Sequence, residues 1–188
     1  MKKPKTNYLV CLVKVPACKT YRRQPHLRNF SLPLPEIGKE PTMIDIEQVK
    51  QWAVNRWTLG ELHGIAHWER VDRNGQLLAT PDCDLTVIRL FAYLHDSCRE
   101  NDGYDEQHGP RAAKMIKSLR KTLLKDLTDQ QFDLLQSACY LHTTTHSTGN
   151  PTIDACFDAD RLDLGRVNIK PDPAKMATAK GKELASKL

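Results

Sequence analysis

The stretch DLTVIRLFAYLHDSC at 84–98 constrains the fold of this chain more than any other. It is apolar almost without interruption, which suits a buried helix, since a helix at the surface keeps a polar face. Its length decides against a strand, which in such apolar runs covers about four to eight residues. The run follows Pro81-Asp82, and it ends on a histidine and an aspartate side by side, His95-Asp96, before a strongly polar stretch begins.

The flanking segments have helical periodicity. IDIEQVKQWAVNRW places Ile44, Val49, Trp52, Ala53 and Trp57 near one face of a helix. A second helix is expected through ELHGIAHWERV, up to a turn at Asn74-Gly75. Gly103 and an Asp/Asn cluster mark a loop, after which HGPRAAKMIKSLRKTLLK is helical, with Pro110 tolerable only in the first turn. Thr128 and Gln131 have the spacing of a capping box opening TDQQFDLLQSACYLH. Gly149-Asn150-Pro151 is a break, and PTIDACFDADRLDLG is expected as a last core helix closed by Gly165. The expected fold is all-α, a compact bundle of five or six core helices over 43–168, without internal repeats. An Ala/Lys-rich stretch at 169–188 follows as a tail or short helix.

At 188 residues and 40% apolar content the chain suits one domain with a core of its own. The net charge of +5 is unevenly spread: residues 1–30 carry eight Lys and Arg and no acid, so the remainder carries −3. Pro33, Pro35 and Pro41 argue against helix there. Residues 1–42 therefore read as a solvated basic arm on a mildly acidic body, and nucleic acid is not the expected partner. No apolar stretch approaches the length of a membrane span, and in NYLVCLVKVPAC the apolar run is short and interrupted by Lys14, against export or lipidation at Cys18. Six cysteines without a CxxC pair read as reduced thiols and fit a cytoplasmic location.

Six of the seven histidines sit at helix ends or in the helical body: His63, His67, His95, His108, His142 and His146. Each alone is an ordinary partly buried histidine; the pattern is what matters. His67 lies on one helix, His95-Asp96 closes another, His142 closes a third, and Asp158, Asp160 and Asp163 lie on a fourth. Neighbouring residues on a helix point about 100° apart, yet at a buried helix end both can flank an ion beside the terminus. Burying Asp96 without compensation costs several kcal/mol, so a cation or an arginine such as Arg70 or Arg161 is expected beside it. Imidazole with carboxylate suits Mn, Fe, Co, Ni or Zn better than Ca.

The order His67, His95-Asp96, Asp160 in an all-α chain resembles the HD-domain superfamily of metal-dependent phosphohydrolases. HWERV at 67–71 looks like that family's first-histidine helix, LHDSC matches its histidine-aspartate doublet, and ADRLD at 159–163 is similar to its last-aspartate motif. The resemblance covers roughly residues 45–167. It implies that His67, His95, Asp96 and Asp160 hold one divalent transition metal. Branches of the superfamily with two metals add histidines between the doublet and the last aspartate, which makes His108 and His142 the second-site candidates. His146 is a weaker one, because TTTHSTGN reads as a mobile loop. His63 is placed to orient a ligand or line the pocket.

A site of this kind polarises a phosphoryl oxygen and lowers the pKa of a water to about 7, the chemistry of phosphate-ester hydrolysis. Several family members carry acids three and four positions after the doublet's aspartate, where this chain has Arg99 and Glu100. Arg99 departs from that pattern and is expected to grip a phosphate. Glu100 is the candidate general acid/base, with Asp102 and Asp105 as alternates. Arg70 and Arg161 are substrate-phosphate candidates or structural partners of a core carboxylate. There is no Gly-rich phosphate loop and no dinucleotide fingerprint. The expectation is a phosphohydrolase using metal-activated water on a nucleotide or other small phosphate ester. The alternatives are a di-iron oxygenase on the same scaffold, which needs His108 and His142 on a second metal, and a non-catalytic regulatory or nucleic-acid-associated module.

Overall fold

In the computed structural model, which describes residues 43–188, helix α3 (Leu85–Leu94) sits at the middle of an all-α bundle. Val87, Leu90, Phe91, Ala92 and Leu94 are wholly shielded from solvent, as its unbroken apolar content predicts. Asp84 caps its start, the carboxylate accepting the Val87 amide at 3.1 Å. Around it pack α1 (Ile46–Val54), α2 (Ile65–Leu78), α5 (Asp129–Leu141) and α6 (Pro151–Arg161), while α4 (His108–Leu119) lies on α5. A short α7 (Ala179–Ala185) and two 3-10 segments, Leu164–Val167 and Pro173–Lys175, complete the described chain. The reading of residues 1–42 as a basic arm lies outside the described residues.

Several element ends are set by the residues the sequence singles out. Thr128 and Gln131 form the reciprocal capping box of α5. Asn150 caps α6 with Pro151 in its first turn, behind Gly149 at φ +78°. Arg120 ends α4 earlier than its pattern suggests, its guanidinium donating to the carbonyls of Leu124 and Lys125.

Four expectations are corrected. Asn74-Gly75 is no turn: α2 runs through it to Leu78, and Gly75 faces α3 so closely that a Cβ there would collide with Ile88 Cγ2. α2 also starts at Ile65, not at Glu61, which leaves His63 in the turn ahead of it. Gly165 does not close α6, which ends at Arg161; it lies inside a 3-10 segment whose left-handed residue is Asn168, φ 60°. The loop at 143–150 is tied down instead of mobile: the Asp154 carboxylate accepts from Thr148 N (2.7 Å), Thr148 Oγ1 (2.9 Å), Ser147 Oγ (2.8 Å) and Gly149 N (3.1 Å). Burial raises the Asp154 pKa, but these donors outweigh it and hold the carboxyl below its usual value.

The C-terminal stretch is the short-helix alternative. It docks through Met176 and Ala185, and Asp158 holds it by accepting from Ala177 N, Thr178 N and Thr178 Oγ1, each at 2.8 Å. The four cysteines among the described residues are free thiols, and burial pushes those of Cys139 and Cys156 well up. No helix among the described residues is long and apolar enough to cross a membrane.

Candidate metal centre

Five helices converge on Asp96, which lies just past the end of α3 and is almost completely buried. Its two carboxylate oxygens serve different partners. Oδ2 is 3.6 Å from His67 Nε2 and 3.7 Å from His95 Nε2. Oδ1 is 3.1 Å from His108 Nε2 and 3.8 Å from His142 Nε2. Across each pair the imidazole nitrogens stand 3.2 Å apart (His67, His95) and 2.8 Å apart (His108, His142). Asp160 Oδ1, from α6, adds a fourth donor to the first half, 3.4 Å from His67 and 3.9 Å from His95.

The placement of these rings follows from local structure. His67 lies on the face of α2 that also buries Trp68 and Val71. His95 and His142 are the C-cap residues of α3 and α5, and His108 opens α4. A residue at a helix end can aim along the bundle instead of across it, which lets four helices point side chains at one carboxylate.

All four rings have their Nδ1 engaged by an acceptor. His67 Nδ1 donates to Asp163 Oδ2 at 2.7 Å, His95 Nδ1 to the Phe91 carbonyl at 3.1 Å, His142 Nδ1 to the Cys139 carbonyl at 2.8 Å, and His108 Nδ1 to the Asp105 carbonyl. A carbonyl or carboxylate can only accept, so the proton of each neutral ring is on Nδ1 and the lone pair on Nε2. Two facing pairs of lone pairs, both aimed at a carboxylate, repel unless a cation lies among them. Two ligands held about 2.1 Å from one ion at right or tetrahedral angles stand roughly 3.0–3.4 Å apart; the donors here are 2.8–3.9 Å apart, around that range. Asp160 Oδ1 is buried yet has no hydrogen bond among the described residues, so an ion in the first half would supply its missing partner. Buried His and Asp thus form two clusters that could hold metal ions, His67–His95–Asp96 and Asp96–His108–His142, joined by one carboxylate.

Protonation agrees with ligation. Burial drives the His95 pKa down to about 3, against the opposing pull of Asp96 and Asp160. Burial raises Asp96 and Asp160, but His95 and the other facing groups outweigh it and leave both carboxyls below their usual value. Neutral imidazole with ionised carboxylate is the state a metal requires. It also sets an acid sensitivity for the metal-free protein. The folded-state pKa of His95 lies below its unfolded value of about 6.5, so the unfolded chain binds the extra proton and stability falls as pH drops from about 6.5 towards 3, by up to roughly 1 kcal/mol per unit. Chemical denaturation of chelator-treated protein across this window is expected to show that slope, and His95→Gln to flatten it. An unchanged slope in the variant would remove His95 as its source.

Outside the two clusters, Asp163 accepts from both His67 and Arg70 Nε (2.6 Å), and Arg166 Nη2 lies 3.6 Å from Asp160 and 3.3 Å from His63 Nδ1. His63 Nδ1 also stands 3.2 Å from Asp96 Oδ2. Asp163 and Arg166 escaped the sequence reading as a pair. The acid–base spacing in DRLDLGR was a signal, but it points back at the centre only because the chain after α6 folds into a 3-10 turn.

The remaining candidates divide. Arg99 is brought to the centre, its side chain only 7% exposed, with Nη1 3.5 Å from Asp96 Oδ1 and 3.4 Å from His108 Nδ1. Glu100 is not: its side chain is 71% exposed and pairs with Arg111 at 3.5 Å. Asp105 receives the Glu100 amide at 2.9 Å and Arg111, and Asp102 receives the Gly60 amide, so both hold loops in place. Arg70 donates to Asp163, a carboxylate of the described core. Arg161 likewise donates to the carbonyls of Thr145 and His146, each at 2.8 Å, and stands beside Asp158. His146 is exposed and only its carbonyl is used.

Gly109 sets the distance between α4 and α5 at the second cluster. A Cβ there would lie 2.8 Å from the Cys139 carbonyl oxygen and 3.3 Å from the His142 ring. Gly109→Ala is expected to shift His142 and weaken metal binding in the second half by tenfold or more, of the order seen when support of a ligand is lost, while the first half keeps its ion. Metal titration followed by elemental analysis distinguishes this from equal weakening of both.

Fold and site together define an all-α protein with buried His/Asp clusters suited to metal ions. Comparison with protein-family models, with curated proteins and with solved structures finds no match to this chain.

Proposed function

We propose that this chain is an HD-type metal-dependent phosphohydrolase acting on a nucleotide or another small phosphate ester. The observation that carries the reading is the convergence of four Nε2 lone pairs on the two oxygens of Asp96, with Asp160 completing the ordered set that resembles that superfamily. Divalent transition metals held there supply Lewis-acid polarisation of a phosphoryl oxygen and acidify a water. The protein's own groups do the rest. Asp163 and the three backbone carbonyls fix the imidazole tautomers, His63 orients Asp96, and Arg99 offers a guanidinium to an anionic group.

A cavity of about 280 Å³ beside the second half is lined by Arg99, Tyr104, His108, Thr143 and Thr144 and by two acids, Asp105 and Glu106. That is small for a ligand site, which favours a compact ester over a polymer. Tyr104, 88% exposed at its rim, offers a face on which a base can stack.

The test is elemental analysis of the purified protein, followed by a phosphate-release screen over nucleotides with added Mn²⁺ or Co²⁺. Stoichiometric metal and chelator-sensitive release are the expected results, and failure to bind either ion would end the enzyme reading. A second reading, a di-iron oxygenase, is favoured by one observation, the cluster of His108 and His142 on the far oxygen of Asp96. Oxygen consumption by Fe²⁺-loaded protein, without phosphate release from any ester, would select it.

A further inference from the structure

The two halves of the centre are unequal in charge. The first has two carboxylates, Asp96 and Asp160, facing His67 and His95. Among the described residues the second has only the shared Asp96 facing His108 and His142, and a guanidinium stands in the same place: Arg99 Nη1 is 3.5 Å from Asp96 Oδ1 and 3.4 and 3.5 Å from the two ring nitrogens of His108. Arg99 is not drawn there by the carboxylate alone. Nη2 donates to the Gly103 carbonyl at 2.6 Å and Nε to that of Asn101 at 3.3 Å, so the loop after α3 holds it against the cluster. A divalent ion in this half meets a fixed positive charge within a buried, weakly screened space, with no second carboxylate to offset it. The same guanidinium borders the cavity lined by His108, Thr143, Thr144 and Tyr104, whose wall also carries two acids, Glu106 and Asp105, the latter paired with Arg111.

We propose that Arg99 couples anion binding to metal binding: the second half takes up its ion weakly alone and strongly when a phosphate group neutralises the guanidinium from the cavity side. The inference rests on the metal-centre reading and adds to it where the substrate's phosphate lies and which ion it recruits. Reciprocity requires the converse, that an ion in the second half strengthens phosphate binding by the same factor.

The test is Co²⁺ titration of the metal-free full chain by equilibrium dialysis with elemental analysis, with and without inorganic phosphate. The wild type is expected to bind one Co²⁺ tightly and a second about tenfold or more weakly, with phosphate restoring most of that difference. Arg99→Gln is expected to tighten the second ion without phosphate and to lose the phosphate effect, while Arg99→Lys, which keeps the charge, retains both features. His142→Ala is expected to bind one ion under all conditions. First-half Co²⁺ binding reports whether each variant is folded. Two equal ions in the wild type, or an Arg99→Gln protein as unequal and phosphate-responsive as the wild type, would overturn the coupling while leaving the metal centre intact. No Co²⁺ in any protein would overturn the centre itself.

Discussion

Asp96→Ala is expected to empty both halves of the centre at once. Among the described residues Asp96 is the one side chain common to both clusters: Oδ2 faces His67 and His95, Oδ1 faces His108 and His142. Among the described residues, its removal also takes away the only carboxylate of the second half and one of two in the first. Elemental analysis should therefore show near-complete loss of metal, whereas His142→Ala, which touches one cluster, keeps an ion. Phosphate release should fall about a thousandfold, the equivalent of about 4 kcal/mol, which is the scale of the charge stabilisation a metal gives a phosphoryl transition state. The fold should survive, at a cost of roughly 1–3 kcal/mol for the partners His63 and Arg99 left without their acceptor. Retention of both ions by this variant would mean that Asp96 does not bridge.

The second expectation separates two aspartates only two residues apart. Asp158 is wholly buried and accepts three hydrogen bonds from Ala177 and Thr178, so it anchors the segment leading into α7. Asp158→Ala strands those donors and should cost about 3 kcal/mol or more, with the C-terminal helix becoming accessible to protease. Asp160 is the reverse case. Its Oδ1 is buried without a hydrogen bond among the described residues. Asp160→Ala should cost the metal-free protein less than Asp158→Ala does, because it strands no hydrogen-bond donor and removes only the contacts with His67 at 3.4 Å, Arg166 at 3.6 Å and His95 at 3.9 Å. It should lose the ion of the first half. Denaturant melts and metal content of the two variants provide the check, and a metal loss in Asp158→Ala at full stability would reverse the assignment.

Those residues also mark what a single sequence can convey. FDADRLD offers three aspartates, and only the likeness to a known motif points to the middle one; helical spacing does not tell which faces the centre. The helices themselves were legible because an apolar period reflects burial directly, and the cap at Thr128 because its partner Gln131 lies three residues on. Gly75 was misread for the opposite reason. Asn-Gly signals a turn in isolation, and only the presence of Ile88 on another helix explains a glycine inside α2. Arg99 and Glu100 show the same limit at shorter range. The turn after α3 sends one inward and the other to solvent, and the choice is made by bonds to Asn101, Gly103 and Asp105 that no periodicity encodes.

The missing side chain at Gly75 has a bearing on the centre eight residues away. α2 and α3 touch backbone to side chain at Gly75 and Ile88, and at their other ends they present His67 and His95, 3.2 Å apart. Helices are stiff, and eight residues span only about 12 Å, so the gap at one end fixes the gap at the other. The bore of the first half is thus gauged by a single hydrogen atom on α2. Any bulkier residue there would act as a shim, opening the ligand jaws and shifting preference towards a larger ion before it unfolds the bundle.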